Sequence, residues 1–154
     1  MIVIVRHGVA EDSFDNDINR ELTEQGKADI RKRADYLRSM NIEFDEAFVS
    51  PYIRTLQTLE IIKSAVTVKD ANFTRDLEPN GNVQIADYFR VLHDQNKNVL
   101  VISHMPMVGF IMRELCGVQV SSFMNPGDMN ILDEKGSNEL FKVIYTTNYY
   151  DLNQ

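Results

Sequence analysis

Short apolar runs alternate along the chain with segments in which apolar residues recur at helical spacing. Residues 2–5 and 99–102 are runs of Val, Ile and Leu, which are typical of strands covered on both faces of a parallel sheet. Residues 46–50 predict a further strand between them. Residues 128–133 and 139–147 predict two more strands, joined by a turn at 134–137.

Four segments have the periodicity of helices with one apolar face. Their predicted bounds are, in chain order, about 23–40, from 50 through 66, about 82–96 and 106–116. Thr23 is placed to cap the first helix, and Gly117 to close the fourth. Ser50 and Pro51 predict the cap and the first residue of the second helix. Residues 67–81 predict irregular structure that ends in a turn at 79–81.

This alternation of strands and helices predicts an α/β fold: a three-layer sandwich with a mostly parallel central sheet and helices on both faces. The chain has 154 residues and contains no repeat, linker or low-complexity tract. That length fits one ordinary domain, so we expect a single domain spanning 1–154. In such sheets, ligands bind beyond the carboxyl ends of the strands.

Composition narrows the range of partners. Lys and Arg number 16 against 23 Asp and Glu, giving a net charge of −7, which argues against binding to nucleic acid or to an anionic membrane. The longest apolar region, 99–112, is interrupted by polar residues and falls short of the ~20 residues that a membrane helix needs. The single cysteine, Cys116, cannot form an intrachain disulfide, so a cytoplasmic protein is expected.

Charged and polar side chains follow the predicted strands at the points where they end. Arg6 and His7 follow the first strand, Arg54 lies just after the second, and His104 follows residues 99–102. Neighbouring strands in a sheet lie only ~4.8 Å apart. We therefore expect these four residues to share one pocket, although nearly a hundred positions separate them.

These residue types predict a site for a dianionic, tetrahedral oxyanion. Two guanidinium groups match phosphate oxygens, two helix starts add partial positive charge, and Gly8 lets the backbone approach closely. A neutral imidazole is a competent nucleophile toward phosphorus, and its reference pKa of ~6.5 leaves it available at neutral pH. One histidine would attack, and the other, if protonated, would stabilise charge on the equatorial oxygens.

The motifs around these residues resemble those of the histidine phosphatase superfamily. They are Arg6-His7-Gly8 after the first strand, the S-P-x-x-R-T-x-Q-T pattern of residues 50–58, and Ser103-His104 after residues 99–102. Within that superfamily, the short length, residues 20–23 with Gly26, and residues 101–109 are most similar to the small phosphohistidine phosphatases of the SixA type. The resemblance covers residues 2 to about 117.

The resemblance implies a phosphatase in which His7 is the nucleophile that becomes transiently phosphorylated. Arg6, Gly8, Arg54 and His104 would then bind the phosphoryl group, and hydrolysis would run in two half-reactions. No metal or other cofactor is implied, and the sequence has no cluster of metal ligands. The expected substrate is a phosphorylated protein domain that carries phosphohistidine, which suggests a role in signal transduction.

Two departures from the superfamily pattern concern the proton donor. Many members carry Glu directly after the triplet, where this chain has Val9, and Glu78, the candidate proton donor, is one place out of register. A phosphate ester leaves as an alkoxide and needs an acid, whereas phosphohistidine leaves as an imidazole and needs far less help. The alternatives are a phosphatase of small phosphate monoesters that uses Glu78, or a non-catalytic module that binds phosphate or a phosphoprotein.

Other charged residues have simpler interpretations. His93, on the third helix, is expected to be a surface residue. Arg20 is either a third anion contact or an ion-pair partner for an acidic loop, which we interpret as a solvated rim. The acidic loop contains Glu11, Asp12, Asp15, Asp17 and Glu21. The first helix has a basic face, expected to be an ordinary solvated surface, with contact to a phosphoprotein as the alternative. That face comprises Lys27, Arg31, Lys32, Arg33 and Arg38.

Overall fold

The computed structural model describes residues 1–12 and 15–147, which form one six-stranded sheet flanked by four helices. The strands are β1 (Ile2–Arg6), β2 (Phe44–Val49), β3 (Val68–Phe73), β4 (Val99–Ser103), β5 (Met129–Asp133) and β6 (Lys142–Thr146). The helices are α1 (Glu24–Ser39), α2 (Ile53–Lys63), α3 (Ile85–Asp94) and α4 (Met107–Cys116), with 3-10 turns at Asp17–Asn19 and Arg75–Leu77. Within the described ranges, no helix combines the length and apolar character needed to cross a bilayer.

The strand order is β3-β2-β4-β1-β5-β6, so the two most apolar strands, β1 and β4, are neighbours in the middle of the sheet. The pairs β3–β2, β2–β4 and β4–β1 are parallel. β5 pairs antiparallel with β1, and β6 pairs antiparallel with β5. The predicted α/β class with a mostly parallel sheet is confirmed.

The core lies on both faces of the sheet, as alternation along β1 shows. Ile2 and Ile4 point toward the layer of α3 and α4, whereas Val3 and Val5 point toward the layer of α1 and α2. All four side chains are fully buried. Because successive side chains of a strand point to opposite faces, a strand that is apolar at every position needs a helix layer on each side.

β3 lies in a segment that was predicted to be irregular, and that prediction is wrong. The strand has the sequence Val-Lys-Asp-Ala-Asn-Phe, and none of its residues is fully buried. It occupies the edge of the sheet and pairs with β2 alone. An edge strand that faces solvent needs no apolar run, so the hydrophobic pattern does not mark it.

The predicted start of α2 is also wrong. The helix begins at Ile53, and its N-cap is Tyr52, whose side chain makes no capping hydrogen bond. Ser50, the residue after β2, is not helical; its backbone N–H donates to the carbonyl of Ile102 in β4 at 3.1 Å. The predicted ends of two other helices are confirmed: Thr23 caps α1 by accepting a hydrogen bond from the N–H of Gly26, and Gly117 closes α4 with φ at +87°.

His93 is not the plain surface residue that the sequence suggested. Its Nε2 lies 2.8 Å from Oδ1 of Asp133, and its side chain is only 18% exposed. The ring also packs edge-on against Phe141, with centroids 4.7 Å apart. His93 therefore ties α3 to the end of β5, a contact between distant segments that local sequence does not reveal.

Candidate active site

The carboxyl ends of β1, β2 and β4 meet at one edge of the sheet. In the register of these parallel strands, Arg6 lies opposite Ser103, and Val49 opposite Ile102. The residues that follow these strands therefore converge at one place, and α2 and α4 begin there. Neither helix has a side-chain cap at its start, so their N-terminal amides keep partial positive charge at this edge.

His7 is held by two hydrogen bonds that define its tautomer. Its Nδ1 lies 2.7 Å from the carbonyl oxygen of Gly8, and its Nε2 lies 3.3 Å from Nε of Arg54. A carbonyl only accepts and a guanidinium only donates, so Nδ1 carries the hydrogen and Nε2 carries the lone pair. Burial lowers the pKa of His7 to about 4, and the guanidinium groups of Arg54, Arg6 and Arg20 act in the same direction. The ring is therefore neutral at pH 7, with a nucleophilic Nε2.

His104 faces His7 across the site. The two ring centroids are 5.1 Å apart, with an interplanar angle of 61°. Nε2 of His104 lies 2.7 Å from the hydroxyl oxygen of Ser50, while its buried Nδ1 has no hydrogen-bond partner among the described residues. Burial, with further contributions from His7 and Arg54, lowers the pKa of His104 to about 2. His104 is therefore neutral in these surroundings, and only a nearby negative group would favour the protonated form considered from the sequence.

Arg6 approaches the site from the end of β1. Its Nη1 donates to the carbonyl of Met124 at 2.7 Å, which connects it to the loop after α4. Its Nε is buried and has no partner in the part of the chain that the structure describes. Burial lowers the pKa of Arg6, and the nearby Asp128 opposes this shift. Arg6 thus offers a buried donor beside two neutral imidazoles.

Arg54 lies between His7 and the 3-10 turn at Asp17–Asn19. While Nε faces His7, Nη1 donates to the backbone carbonyl of Asp17 at 2.7 Å, and Nη2 lies 3.2 Å from the carboxylate oxygen Oδ2. The side chain of Arg54 is 5% exposed. Asp17 is therefore more than part of a solvated rim, because it pairs with a buried arginine of the site.

Arg20 is the second partner of Asp17. Its Nη1 lies 2.9 Å from Oδ1 of Asp17, and its Nε donates to the carbonyl of Glu11 at 2.7 Å. Of the two roles considered from the sequence, the structure shows the ion pair with the acidic loop. The hydrogen bond from Arg20, followed by the contributions of Arg54, lowers the pKa of Asp17.

Packing requires a glycine at position 8, and a role for Gly8 in phosphate binding stays a prediction. A Cβ at this position would lie 2.8 Å from the carbonyl oxygen of Gly26 and 3.1 Å from the Ile30 side chain. Gly8 also donates its N–H to Oγ1 of Thr58 at 3.3 Å, and this hydroxyl donates to the carbonyl of Arg54. The loop after β1 is therefore fixed against both α1 and α2.

Glu78 lies apart from these contacts. It follows the 3-10 turn at Arg75–Leu77, and its carboxylate lies 4.0 Å from Nε of Arg75. Within residues 1–12 and 15–147 it forms no hydrogen bond or ion pair with Arg6, His7 or Arg54. The preceding Leu77 accepts a hydrogen bond from the Ser103 hydroxyl at 2.6 Å, which holds this segment near the end of β4. A proton-donor role for Glu78 stays a prediction.

Two residues of this site were not assigned a role there from the sequence. Ser50 carried a helix-start signal, and its contact with His104 depends on the pairing of β2 with β4. Asp17 was one acid among several in its loop, and nothing local distinguishes the one that reaches Arg54. Among the described residues, no group of three or more His, Cys, Asp or Glu side chains could hold a metal ion.

A family model and two curated proteins match this chain. Residues 2–78 match the family model of the histidine phosphatase superfamily (branch 1). The chain is 33% identical over 141 residues to the phosphohistidine phosphatase SixA of Escherichia coli (strain K12), covering 88% of each chain. It is 32% identical over 126 residues to a SixA homolog from Haemophilus influenzae, covering 75% of this chain and 77% of that one.

A solved structure also matches over nearly the whole length. It is that of the protein histidine phosphatase SixA complexed with tungstate, with a TM-score of 0.86 and 27% sequence identity. The match covers 98% of both chains.

Proposed function

The chain belongs to the histidine phosphatase superfamily, and from the contacts at its strand ends we propose that it hydrolyses phosphohistidine through a phosphoryl intermediate on Nε2 of His7. One observation carries the proposal. His7 donates from Nδ1 to the Gly8 carbonyl and so presents its lone pair at Nε2, directly beside the Arg54 guanidinium. A neutral, oriented nucleophile next to a buried cation is what attack on an anionic phosphoryl group requires.

In the first half-reaction, the lone pair of His7 Nε2 gives up the hydrogen bond that it accepts from Arg54 Nε and forms a bond to phosphorus, while the P–N bond of the substrate breaks. The leaving imidazole takes the electron pair of that bond. When its other ring nitrogen is protonated, it departs as a neutral imidazole and needs no acid from the enzyme. Arg54 and Arg6 stabilise the charge on the equatorial oxygens. The ring of His104, whose centroid is 5.1 Å from that of His7, lines the same site.

In the second half-reaction, water attacks phosphorus and the bond between phosphorus and His7 Nε2 breaks. The electron pair returns to Nε2, and the products are inorganic phosphate and the neutral histidine. Because Nδ1 keeps its hydrogen on the Gly8 carbonyl throughout, His7 leaves as a neutral imidazole. The protons of the attacking water pass to the phosphate and to solvent.

The surroundings of His7 favour a P–N substrate over a P–O ester. The only carboxylate that the hydrogen bonds bring to the site, within the described residues, is that of Asp17, and its lowered pKa keeps it ionised at neutral pH. An ionised carboxylate cannot protonate an alkoxide. The names of the relatives, phosphohistidine phosphatase and protein histidine phosphatase, support the same substrate class, and the tungstate in the solved relative is a tetrahedral oxyanion.

The proposed partner is a phosphohistidine-bearing protein domain in the cytoplasm, and α1 offers a basic surface for it. Arg31 and Lys32 are exposed on this helix. Arg33, grouped with them from the sequence, instead donates from Nε to the carbonyl of Gly127 at 2.9 Å and is half-buried. Reversing the charge of Arg31 and Lys32 together should therefore lower turnover of a protein substrate while leaving a phosphohistidine peptide unaffected.

The test is a hydrolysis panel without added metal, comparing phosphohistidine, phosphoserine and phosphotyrosine peptides with sugar phosphates. We expect phosphohistidine to be cleaved fastest, and quenched reactions to contain an acid-labile, alkali-stable phosphoryl adduct that is lost in His7→Ala. Faster cleavage of sugar phosphates would support the monoester phosphatase with Glu78 instead. Binding of phosphate without hydrolysis or labelling would identify a non-catalytic module.

A further inference from the structure

Asp17 joins the two arginines that lie on the outer side of the site. Its Oδ1 is 2.9 Å from Nη1 of Arg20, and its Oδ2 is 3.2 Å from Nη2 of Arg54. The side chain of Asp17 is 55% exposed, whereas that of Arg54 is 5% exposed. A half-exposed carboxylate therefore covers the outer edge of a buried guanidinium.

All three nitrogens of the Arg54 guanidinium are engaged in this arrangement. Nε faces Nε2 of His7, Nη1 donates to the carbonyl of Asp17, and Nη2 donates to its carboxylate. Carboxylate and phosphoryl oxygens make the same charge-assisted hydrogen bonds to a guanidinium. These contacts use three of the five N–H donors of Arg54, two of them on Asp17, so a phosphoryl group on His7 competes with Asp17 for the same guanidinium.

The carboxylate is not needed to build the turn in which it lies. The side chain of Asn16, not that of Asp17, caps the 3-10 turn by accepting a hydrogen bond from the N–H of Ile18. The turn is closed by the backbone, since the N–H of Arg20 donates to the carbonyl of Asp17. The side chain of Asp17 is thus free to separate from Arg54 without loss of the local fold.

We propose that Asp17 is an internal anion that competes with phosphoryl oxygens for Arg54 and Arg20, and that Arg20 is a further phosphate-binding residue when Asp17 is displaced. The inference rests on the proposed function and adds a third phosphate-binding arginine, after Arg6 and Arg54, to its site. Competition of this kind weakens the binding of substrate and product alike, which limits affinity without lowering the rate of the chemical step. Its benefit is fast release of inorganic phosphate.

Titration of inorganic phosphate by calorimetry, at constant ionic strength, tests the role of Asp17. We expect Asp17→Asn to lower the Kd about tenfold, because it removes a negative charge within a few ångströms of the bound anion and keeps an acceptor for Arg20. Asp17→Ser, which also lacks the charge, should change Kd in the same direction. The matched control is Asp12→Asn, a change of equal charge in the same loop at an exposed residue.

Arg20 is tested in the Asp17→Asn background. If Arg20 donates hydrogen bonds to phosphate, adding Arg20→Lys, which keeps the charge but loses the forked donors, should raise the Kd again several-fold. If Arg20 serves only to hold Asp17, the double variant should match Asp17→Asn, since the two residues would then act through a single contact. That second result would overturn the role of Arg20.

A Kd for phosphate that is unchanged or higher in both Asp17→Asn and Asp17→Ser would overturn the competition itself. In that case a wild-type enzyme that still hydrolyses phosphohistidine would leave the proposed function standing. A wild-type protein that neither hydrolyses phosphohistidine nor binds phosphate would overturn both. Circular dichroism spectra and thermal unfolding of each variant establish that the titrated protein is folded.

Discussion

The hydroxyl oxygen of Ser50 lies 2.7 Å from Nε2 of His104, joining the end of β2 to the end of β4 across 54 positions of sequence. Both residues are buried, with exposures of 0% and 1%. The backbone N–H of Ser50 is itself held by the carbonyl of Ile102, so the position of the hydroxyl is set by the sheet. Ser50 therefore fixes the rotation of the His104 ring, which faces His7.

Replacing Ser50 should impair both the activity and the stability of the protein. Ser50→Ala leaves Nε2 of a buried imidazole unpaired, and we expect kcat on a phosphohistidine peptide to fall about tenfold, with a loss of stability of about 1–3 kcal/mol. Steady-state kinetics and urea unfolding measure the two effects. Ser64→Ala is the control, since that hydroxyl bonds only to the Ile61 carbonyl at the exposed end of α2. A wild-type kcat in Ser50→Ala would mean that His104 is oriented without the serine.

Arg54 should not be replaceable by another cation. Arg54→Lys keeps the positive charge but carries its donors on a single nitrogen, which cannot reproduce the contacts that three nitrogens of Arg54 make with His7 and Asp17. We therefore expect kcat/KM to fall at least ~100-fold, or about 3 kcal/mol of transition-state stabilisation. The control is Arg38→Lys, which alters an exposed arginine paired with Asp35. If Arg54→Lys kept a third or more of the wild-type kcat/KM, charge alone would account for the role of Arg54.

The position of the site could be predicted from the sequence because its residues directly follow strands that the sequence marks clearly. β1 and β4 are apolar at successive positions, and their ends are marked by Arg6-His7 and Ser103-His104. Parallel pairing of these strands then places the two histidines side by side whatever the details of the loops.

The contacts of Ser50, Asp17 and His93 could not be predicted in this way. Each joins segments that are distant in sequence, to His104, Arg54 and Asp133 respectively, and the local pattern at each position favoured a different interpretation. β3 was missed for another reason, since a solvent-facing edge strand is stabilised by backbone pairing on one side and leaves no hydrophobic run.

Stability should fall as the pH is lowered from 7 to 5. The unfolded chain binds a proton on His7 near the reference pKa of 6.5, whereas burial holds the pKa in the folded protein at about 4. Between these values the unfolded state binds more protons, so acid favours unfolding, and His7 alone should remove about 2 kcal/mol by pH 5. His104, whose pKa is also lowered, acts in the same direction.

Urea unfolding of the wild type and of His7→Asn, each at pH 7 and at pH 5, isolates this contribution. Asparagine does not titrate, so the variant should lose about 2 kcal/mol less than the wild type over the same interval. Equal losses in the two proteins would show that His7 is already protonated in the folded state at pH 5. The neutral nucleophile would then require a higher pH than proposed.

Gly26 lies outside the candidate site, but we expect both stability and activity to depend on it. Alanine normally stabilises a helix by about 1 kcal/mol relative to glycine, and Gly26 lies in the first turn of α1. Here, however, a Cβ would lie 2.2 Å from the carbonyl oxygen of Val9 and 2.9 Å from its backbone nitrogen. These atoms follow directly on His7 and Gly8, and the same Val9 carbonyl accepts a hydrogen bond from the N–H of Thr23. Relief of the clash must therefore move the loop that orients His7.

We therefore expect Gly26→Ala to reverse the usual sign and to destabilise the protein by about 2–4 kcal/mol, as severe backbone clashes do. The kcat of the folded protein should fall as well, because the Gly8 carbonyl that fixes the tautomer of His7 moves with the loop. Gly136→Ala is the control, since its Cβ would lie 3.1 Å from the exposed Asn138 side chain and at an ordinary 3.7 Å from the Leu140 carbonyl oxygen. Urea unfolding measures the loss of stability. The loss of activity is measured as kcat without denaturant, at a temperature at which the variant is fully folded. If Gly26→Ala were as stable as the wild type, α1 and the loop after β1 could move apart at no cost in the free energy of unfolding. The close contact of Gly8 with Gly26 argues against that outcome.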